Sequence, residues 1–272
     1  MAEQADCLVG GPDAVLVVDD TALVKQGRHS AGVQRQYCGQ LGKRANCQAL
    51  VSLTLARGEV PIPVALRLFL PDTWVKNAAR RRAARVPDAV EGRTKWRIAL
   101  DEIAFLRAQG VRFGCVLGDA EYGKVAAFRH ALDDAGLRWA LGVPPNQEVF
   151  STSVTTALPP RKPRERAPKH PVPSESSAPV SSLFANPPDA AFQTLSWRTG
   201  TKGPLQAAFP AKRVCVAEGP MAAGAQHLPG EERWLVCEHR TTGERKFHLT
   251  NHPADATLEQ LAPAFKGRWS CE

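Results

Sequence analysis

Val15-Leu16-Val17-Val18 is a run of aliphatic residues bounded by Pro12 and by polar neighbours, and it stops abruptly at Asp19-Asp20-Thr21. A short apolar run with such borders predicts a buried strand, and aspartate is disfavoured inside strands, so both acids are expected at its C-terminal end. The design returns in Phe113-Gly114-Cys115-Val116-Leu117-Gly118 followed by Asp119-Ala120-Glu121. Between these, Asn46 to Leu55 and Val60 to Leu70 are apolar runs separated by Ala56-Arg57-Gly58-Glu59, which signals a hairpin. Pro61 and Pro63 place the second of them at or near a sheet edge. Lys25 to Lys43 has no sustained period and reads as a polar loop beside the acids.

A helical period follows. Asp72 to Val86 is alanine-rich and compatible with helix; its run Arg80-Arg81-Arg82 with Arg85 reads either as a solvated face or as a contact for phosphates. Thr94 to Gln109 carries Trp96, Ile98, Ala99, Ile103 and Leu106, with Gly110 as a cap, and turns Arg97, Asp101, Glu102 and Arg107 toward water. A helix from Lys124 to Ala135, closed by Gly136, and a strand from Leu137 to Val143 complete the order β-β-β-α-β-α-β.

At Pro144 the pattern breaks. Half of the chain's 22 prolines lie between Pro144 and Pro188, beside a basic run and a Ser-rich patch, which predicts too little apolar burial for regular structure. The expected organisation is therefore a first part over residues 1–143, a flexible connector over 144–190, a β-rich insertion over 191–255 and the start of a closing helix over 256–272. In that helix Leu258, Leu261, Phe265 and Trp269 form one stripe.

Composition narrows the chemistry. With 272 residues and 43% apolar content the chain is able to bury a core, and a net charge of +8 favours a polyanionic partner. Seven cysteines without a C-x-x-C pair indicate neither a disulfide framework nor a zinc knuckle, and the seven histidines show no ligand spacing. No run is long enough to span a bilayer and the acidic start lacks a signal peptide's basic region, so a soluble cytoplasmic protein with no membrane partner is expected.

Acids at the ends of neighbouring strands suggest a site for a hard metal. The residues around them carry a resemblance: Asp19-Asp20-Thr21, Arg35 to Lys43 with Asn46-Cys47-Gln48, Pro71-Asp72-Thr73-Trp74, Gly118-Asp119-Ala120-Glu121-Tyr122-Gly123, Gly200-Thr201-Lys202-Gly203, Leu249-Thr250-Asn251 and Arg268-Trp269 with Glu272. Together they resemble the catalytic region of IS701-type transposases, relatives of the IS4 family. The resemblance implies an α/β, ribonuclease-H-like mixed sheet with a closing helix and a β-rich insertion before it. It also implies a DDE triad of Asp20, Asp119 and Glu272 that holds two Mg²⁺ or Mn²⁺ ions for DNA strand cleavage and transfer. The implied partners are double-stranded transposon ends and target DNA, engaged by a homodimer at the nucleoid. In the family's signature Tyr stands where this chain has Phe265, and a Lys follows the last acid, beyond Glu272.

Three carboxylates suit this chemistry because two metals about 3.5–4 Å apart must activate one oxygen and stabilise another. Asp20 is expected to bridge both, while Asp119 and Glu272 each serve one. Alternation along a strand sends Asp19 and Asp20 to opposite faces, so only one of them meets the metal, and Asp20, directly before Thr21, is the choice. Glu121 is expected to cap the helix that starts near Lys124. Arg268, one helical turn before Glu272, leads the candidates for DNA contact, followed by Lys202, Arg35, Lys43 and Lys25. Because only nineteen residues precede Asp20 and none follows Glu272, a truncated copy with weak or no activity is expected. The alternatives are a non-catalytic DNA-binding remnant and a haloacid-dehalogenase-like phosphohydrolase. The second needs Asp-x-Asp, whereas Asp19 and Asp20 are adjacent.

Overall fold

α1 (Ala2–Val9) leads through Gly10 and Gly11 into β1 (Val15–Val24), around which the first half of the chain is laid out. The computed structural model describes residues 2–160, 169–185, 194–200, 203–221, 227–239 and 243–266. The described residues divide into two units, the first within 2–118 and 134–137 and the second within 119–133 and 138–266. The division falls after Gly118, well before the boundary at 143 expected from the sequence.

In the first unit β2 (Gln34–Cys38), β3 (Lys43–Arg57) and β4 (Val60–Leu68) follow β1. The antiparallel ladder of β1 on β3 runs from Val15↔Ala56 to Val24↔Cys47, while β2 and β4 pair with successive parts of β3. Then come α2 (Asp72–Val75), α3 (Ala78–Ala83), α4 (Lys95–Ala108) and β5 (Cys115–Gly118), which lies parallel to β1 from Val15↔Cys115 to Val18↔Gly118. The antiparallel strands, the helix and the parallel strand form the mixed α/β sheet that the sequence predicts. β3 is its centre, with Cys47, Ala49, Val51, Leu53 and Leu55 buried at alternate positions.

Four expectations change here. β1 does not stop at Asp19-Asp20; it runs on to Val24 because β3 supplies ladder partners that far, and only the pairing with β5 ends at Val18. The stretch Lys25 to Lys43 contains a strand, β2, since Gln34 to Cys38 finds an edge of β3 to pair with. Asp72 to Val86 is broken into two helices by Asn77, whose side chain caps α3 by accepting from the Arg80 amide at 2.9 Å. Finally, Glu102 faces inward. It is 7% exposed and accepts from Arg67 of β4 at 2.5 Å, so the buried stripe of α4 is Ala99, Glu102, Ile103 and Leu106.

The second unit opens with α5 (Ala120–Gly123), α6 (Ala126–Asp134) and β6 (Trp139–Val143). β7 (Glu148–Phe150), β8 (Thr156–Ala157), β9 (Val172–Pro173), β10 (Ala178–Pro179) and α7 (Val180–Leu183) come next. The interval expected to be a connector without regular structure is therefore ordered in its described parts. β7 pairs with β10 and with Cys215 and Val216, and Val149, Phe150, Val180 and Phe184 are buried. These apolar residues, scattered among the prolines, supply burial that the average composition conceals. Residues 161–168 and 186–193 lie outside the described residues.

β11 (Thr194–Gly200), β12 (Gly203–Ala208), β13 (Ala211–Met221), β14 (His227–His239) and β15 (Arg245–Thr250) make up the β-rich insertion, and α8 (Leu258–Lys266) follows with Leu261 and Phe265 buried. β13, β14, β15 and β6 are consecutive antiparallel neighbours. Asn251, just past β15, accepts from the Trp139 amide at 2.8 Å and donates to Asp133, which also takes the Trp139 indole N–H at 2.9 Å and the Arg233 guanidinium at 2.6 Å. This network ties the last strand of the insertion to β6. Among the described residues the six cysteines Cys7, Cys38, Cys47, Cys115, Cys215 and Cys237 are free, and no helix is long and apolar enough to cross a membrane.

His252 closes the same corner, its Nδ1 2.6 Å from the Thr250 hydroxyl. Burial, aided by the charge of Arg138, pushes its pKa down from 6.5 to about 4. The folded form holds fewer protons than the unfolded one between these values. Its contribution to stability is thus complete above pH 6.5, falls as the pH drops, and is gone below about 4. Thermal unfolding followed from pH 7 to pH 4 is expected to show a steeper loss for the native chain than for His252→Gln, by roughly 2 kcal/mol at the acid end once partial exposure is discounted. Parallel curves would show that His252 does not titrate with folding.

Candidate active site

In an antiparallel ladder, paired residues share a face, and residues two apart along a strand do too. Leu16, Val18 and Asp20 of β1 pair with Leu55, Leu53 and Val51 of β3, so Asp20 is the polar end of an apolar row. Arg67 of β4 pairs with Val51 and joins that row from the other side. α4 meets it with complementary charge. Lys95, its first residue, forms an ion pair with Asp20, and Glu102, two turns on, pairs with Arg67. Asp20 is a quarter exposed and Lys95 about a third, at 25% and 35%.

A lysine at a helix N-terminus opposes the helix dipole, so Lys95 gains nothing from its own helix there. Its ammonium is held instead by the Asp20 carboxylate and, 5.5 Å away, by the face of Phe69. Asp19 faces the other way, paired with Ser52; its Oδ1 accepts from the Asp20 amide at 2.8 Å and its carbonyl accepts from the Ser52 hydroxyl at 3.1 Å. Lys95 is a residue that the sequence reading missed. Its signal was a cation at the first position of a helix that has no acid in its opening turn.

Asp119 belongs to the second unit, where it is the N-cap of α5. Its Oδ1 accepts from the amides of Glu121 at 2.9 Å and Tyr122 at 3.4 Å. The capping role expected of Glu121 falls to Asp119, because the helix begins at Ala120; Glu121 pairs with Lys124 at 2.8 Å instead. α5 lies so close to β6 that a Cβ on Gly123 would sit 1.8 Å from the Gly142 carbonyl oxygen, and one on Gly142 would sit 3.0 Å from the Ala120 amide nitrogen. At Gly123 only a glycine permits that approach. Arg129 of α6, 2% exposed, completes the support by donating to the Gly123 carbonyl and to Glu218 of β13.

Among the other sequence candidates, Arg35 on β2 and Lys43 at the start of β3 are exposed, and Lys25 follows β1. Asn46 fixes the turn beyond β1 by donating to the carbonyls of Lys25 at 2.7 Å and Gly27 at 2.9 Å. Glu272, Arg268 and Lys202 lie outside the described residues. Among the described residues no three His, Cys, Asp or Glu side chains gather as a metal group. The donors do fit a hard cation: Asp20 offers carboxylate oxygen and already holds a positive charge.

Comparisons with known proteins bear on the family. Over 140 residues the chain is 28% identical to the probable transposase for insertion sequence element IS701 of Microchaete diplosiphon, an alignment that takes in 51% of this chain and 34% of that protein. A structure of the piggyBac transposase synaptic complex with hairpin DNA, solved by cryo-EM, aligns with 94% of this chain and 39% of its own at 11% identity and a TM-score of 0.40. The chain thus spans about a third of the length of its curated relative. The model of the DDE superfamily endonucleases matches residues 1–204, most of the sequence and all of the strands that carry Asp20 and precede Asp119, and the chain belongs to that superfamily.

Proposed function

We propose that this chain is the catalytic region of a transposase that cuts and rejoins duplex DNA, with Asp20, Asp119 and Glu272 as ligands of two divalent cations, Mg²⁺ or Mn²⁺. The observation that carries the reading is the register of β1 on β5. Their parallel pairing ends at Val18 and Gly118, and past that point each chain runs directly into an acid: Asp19-Asp20 on one side, Asp119 on the other. Membership of the superfamily and the relative's name as a transposase support the same reading.

The bound cations supply activation of the attacking oxygen and stabilisation of the leaving one. The chain's own residues do the rest. Asp20 stands on a ladder-bonded strand and so holds its carboxylate on a rigid element. Asp119 is aimed by the cap that it forms. Asp20 would hold a cation there, and Lys95, on the same face, would offer its ammonium to a DNA phosphate. Arg268, Lys202, Arg35, Lys43 and Lys25 contact the DNA backbone, and two copies of the protein bring two DNA ends together.

The test is incubation of the purified chain with supercoiled plasmid and with a transposon-end duplex. Nicked and linear products are expected with Mg²⁺ or Mn²⁺ and none with EDTA. Release of phosphate from small phosphoesters, with the duplex left intact, would instead identify a phosphohydrolase.

A further inference from the structure

The arginine run of α3 divides by what its side chains touch. The Arg80 guanidinium lies 3.8 Å from the centre of the Trp74 ring and donates to the carbonyls of Val33 at 2.9 Å and Arg28 at 3.3 Å. Trp74 is itself fully buried, with Val33 and Leu70, and donates its indole N–H to Val33. Arg81 donates to the carbonyls of Pro87, Asp88 and Val90 at 3.0, 3.3 and 2.7 Å. These two arginines build the local structure. Arg82, Arg85 and Arg28 are exposed and make no side-chain hydrogen bond or ion pair with the described residues. Arg28 lines a recess of about 380 Å³ together with His29, Trp74, Arg80, Ala83 and Ala84, and Arg82 and Arg85 are the sequence neighbours of the last two. Asp72, an acid of the neighbouring helix α2, is tied to Lys76 at 3.0 Å.

Arg85 adds a second, independent observation. With φ at +55° it is the one described residue other than glycine in the left-handed region. It stands just past the C-cap Ala84, and the amides of Arg85 and Val86 close the helix by donating to Arg82 and Arg81. Glycine is the residue that this position favours, because a Cβ is strained there. An arginine in that place costs stability relative to glycine.

We propose that Arg28, Arg82 and Arg85 grip the phosphate backbone of duplex DNA, with the recess beside Arg28 taking a phosphate and Arg80 on Trp74 as part of its wall. This rests on the reading of duplex DNA as the partner and adds where on the protein it is held. Unpaired guanidiniums on a fixed frame suit phosphate oxygens, which they meet with two parallel hydrogen bonds, and the contact carries no sequence preference.

The experiment is fluorescence anisotropy of a labelled duplex in EDTA at several salt concentrations, with the full chain, Arg85→Gly and the double variant Arg28→Ala/Arg82→Ala. Each arginine removed is expected to lower the slope of log affinity against log salt by roughly 0.9 and to weaken binding severalfold at low salt. Arg85→Gly is expected to do so with an unchanged or higher melting temperature, which separates a DNA contact from a helix-stabilising charge. Wild-type affinity and slope in all variants, while the native chain still cleaves duplex in metal, would overturn the surface and leave the function standing. A lower melting temperature in Arg85→Gly with unchanged binding would show a structural arginine and overturn the proposal. A native chain that neither binds nor cuts duplex would remove both.

Discussion

Asp20→Asn is expected to lower metal-dependent cleavage by on the order of 10³-fold or more, the several kcal/mol that a ligand to a catalytic cation contributes to the transition state. The substitution preserves shape and removes charge. Asp20 sits in a ladder from Val15 to Val24 that owes nothing to its carboxylate, so the strand survives, and the partly exposed Lys95 loses only a modest ion-pair contribution. Lys95→Ala acts in the opposite direction on metal. With no ammonium competing for the Asp20 carboxylate, Mn²⁺ binding read by electron paramagnetic resonance should tighten severalfold, even as cleavage falls for want of the phosphate contact. Asp119→Asn completes the set, because asparagine caps helices as well as aspartate does. It should melt like the native chain and yet fail to cleave, whereas Asp119→Ala should lose about 1 kcal/mol of stability as well. Unchanged Mn²⁺ binding in both asparagine variants would sink the shared metal site.

What was legible in the sequence follows from how local each signal is. The apolar runs that became β1, β3, β4, β5 and β6 announce themselves; β5 and β6, buried along their length, have to be apolar throughout, while β3 buries every second residue. Where β1 ends is not local: Asp19 and Asp20 stay within it because β3, far along the chain, continues to offer partners as far as Cys47. The inward turn of Glu102 was hidden for a related reason. On α4 alone it reads as one of several polar residues, and only the arrival of Arg67 from β4 makes its burial tolerable. β2, a strand of polar residues on an edge, has no apolar period to find, and the Pro-rich interval hid Val180 and Phe184 beneath its average. For the candidate site the acids were visible as residues, but their supports were not. Lys95, Gly142 and Arg129 are ordinary letters until the fold sets them against Asp20, Ala120 and Gly123.

Arg129→Met is expected to destabilise the second unit by roughly 3–5 kcal/mol, because it leaves the nearly buried Glu218 carboxylate without its guanidinium. Glu218 is 6% exposed in its side chain, and among the described residues its other ion-pairing neighbour is the half-exposed His130 ring, 3.4 Å away. The loss should appear as a lower urea midpoint. Adding Glu218→Leu removes the stranded charge, and an apolar replacement of a buried pair often restores what the single change lost, so the double variant should regain most of the midpoint. Cleavage is expected to behave differently. Arg129 also donates to the Gly123 carbonyl, at the C-terminal end of the helix whose N-cap is Asp119, and neither Met nor Leu replaces that bond. A carboxylate loosened by about 1 Å is enough to lower a rate by 10²-fold. The double variant should thus fold nearly as well as the native chain and cleave poorly, which makes Arg129 a positioning residue for Asp119. Recovery of cleavage in step with stability would show instead that the pair serves folding alone.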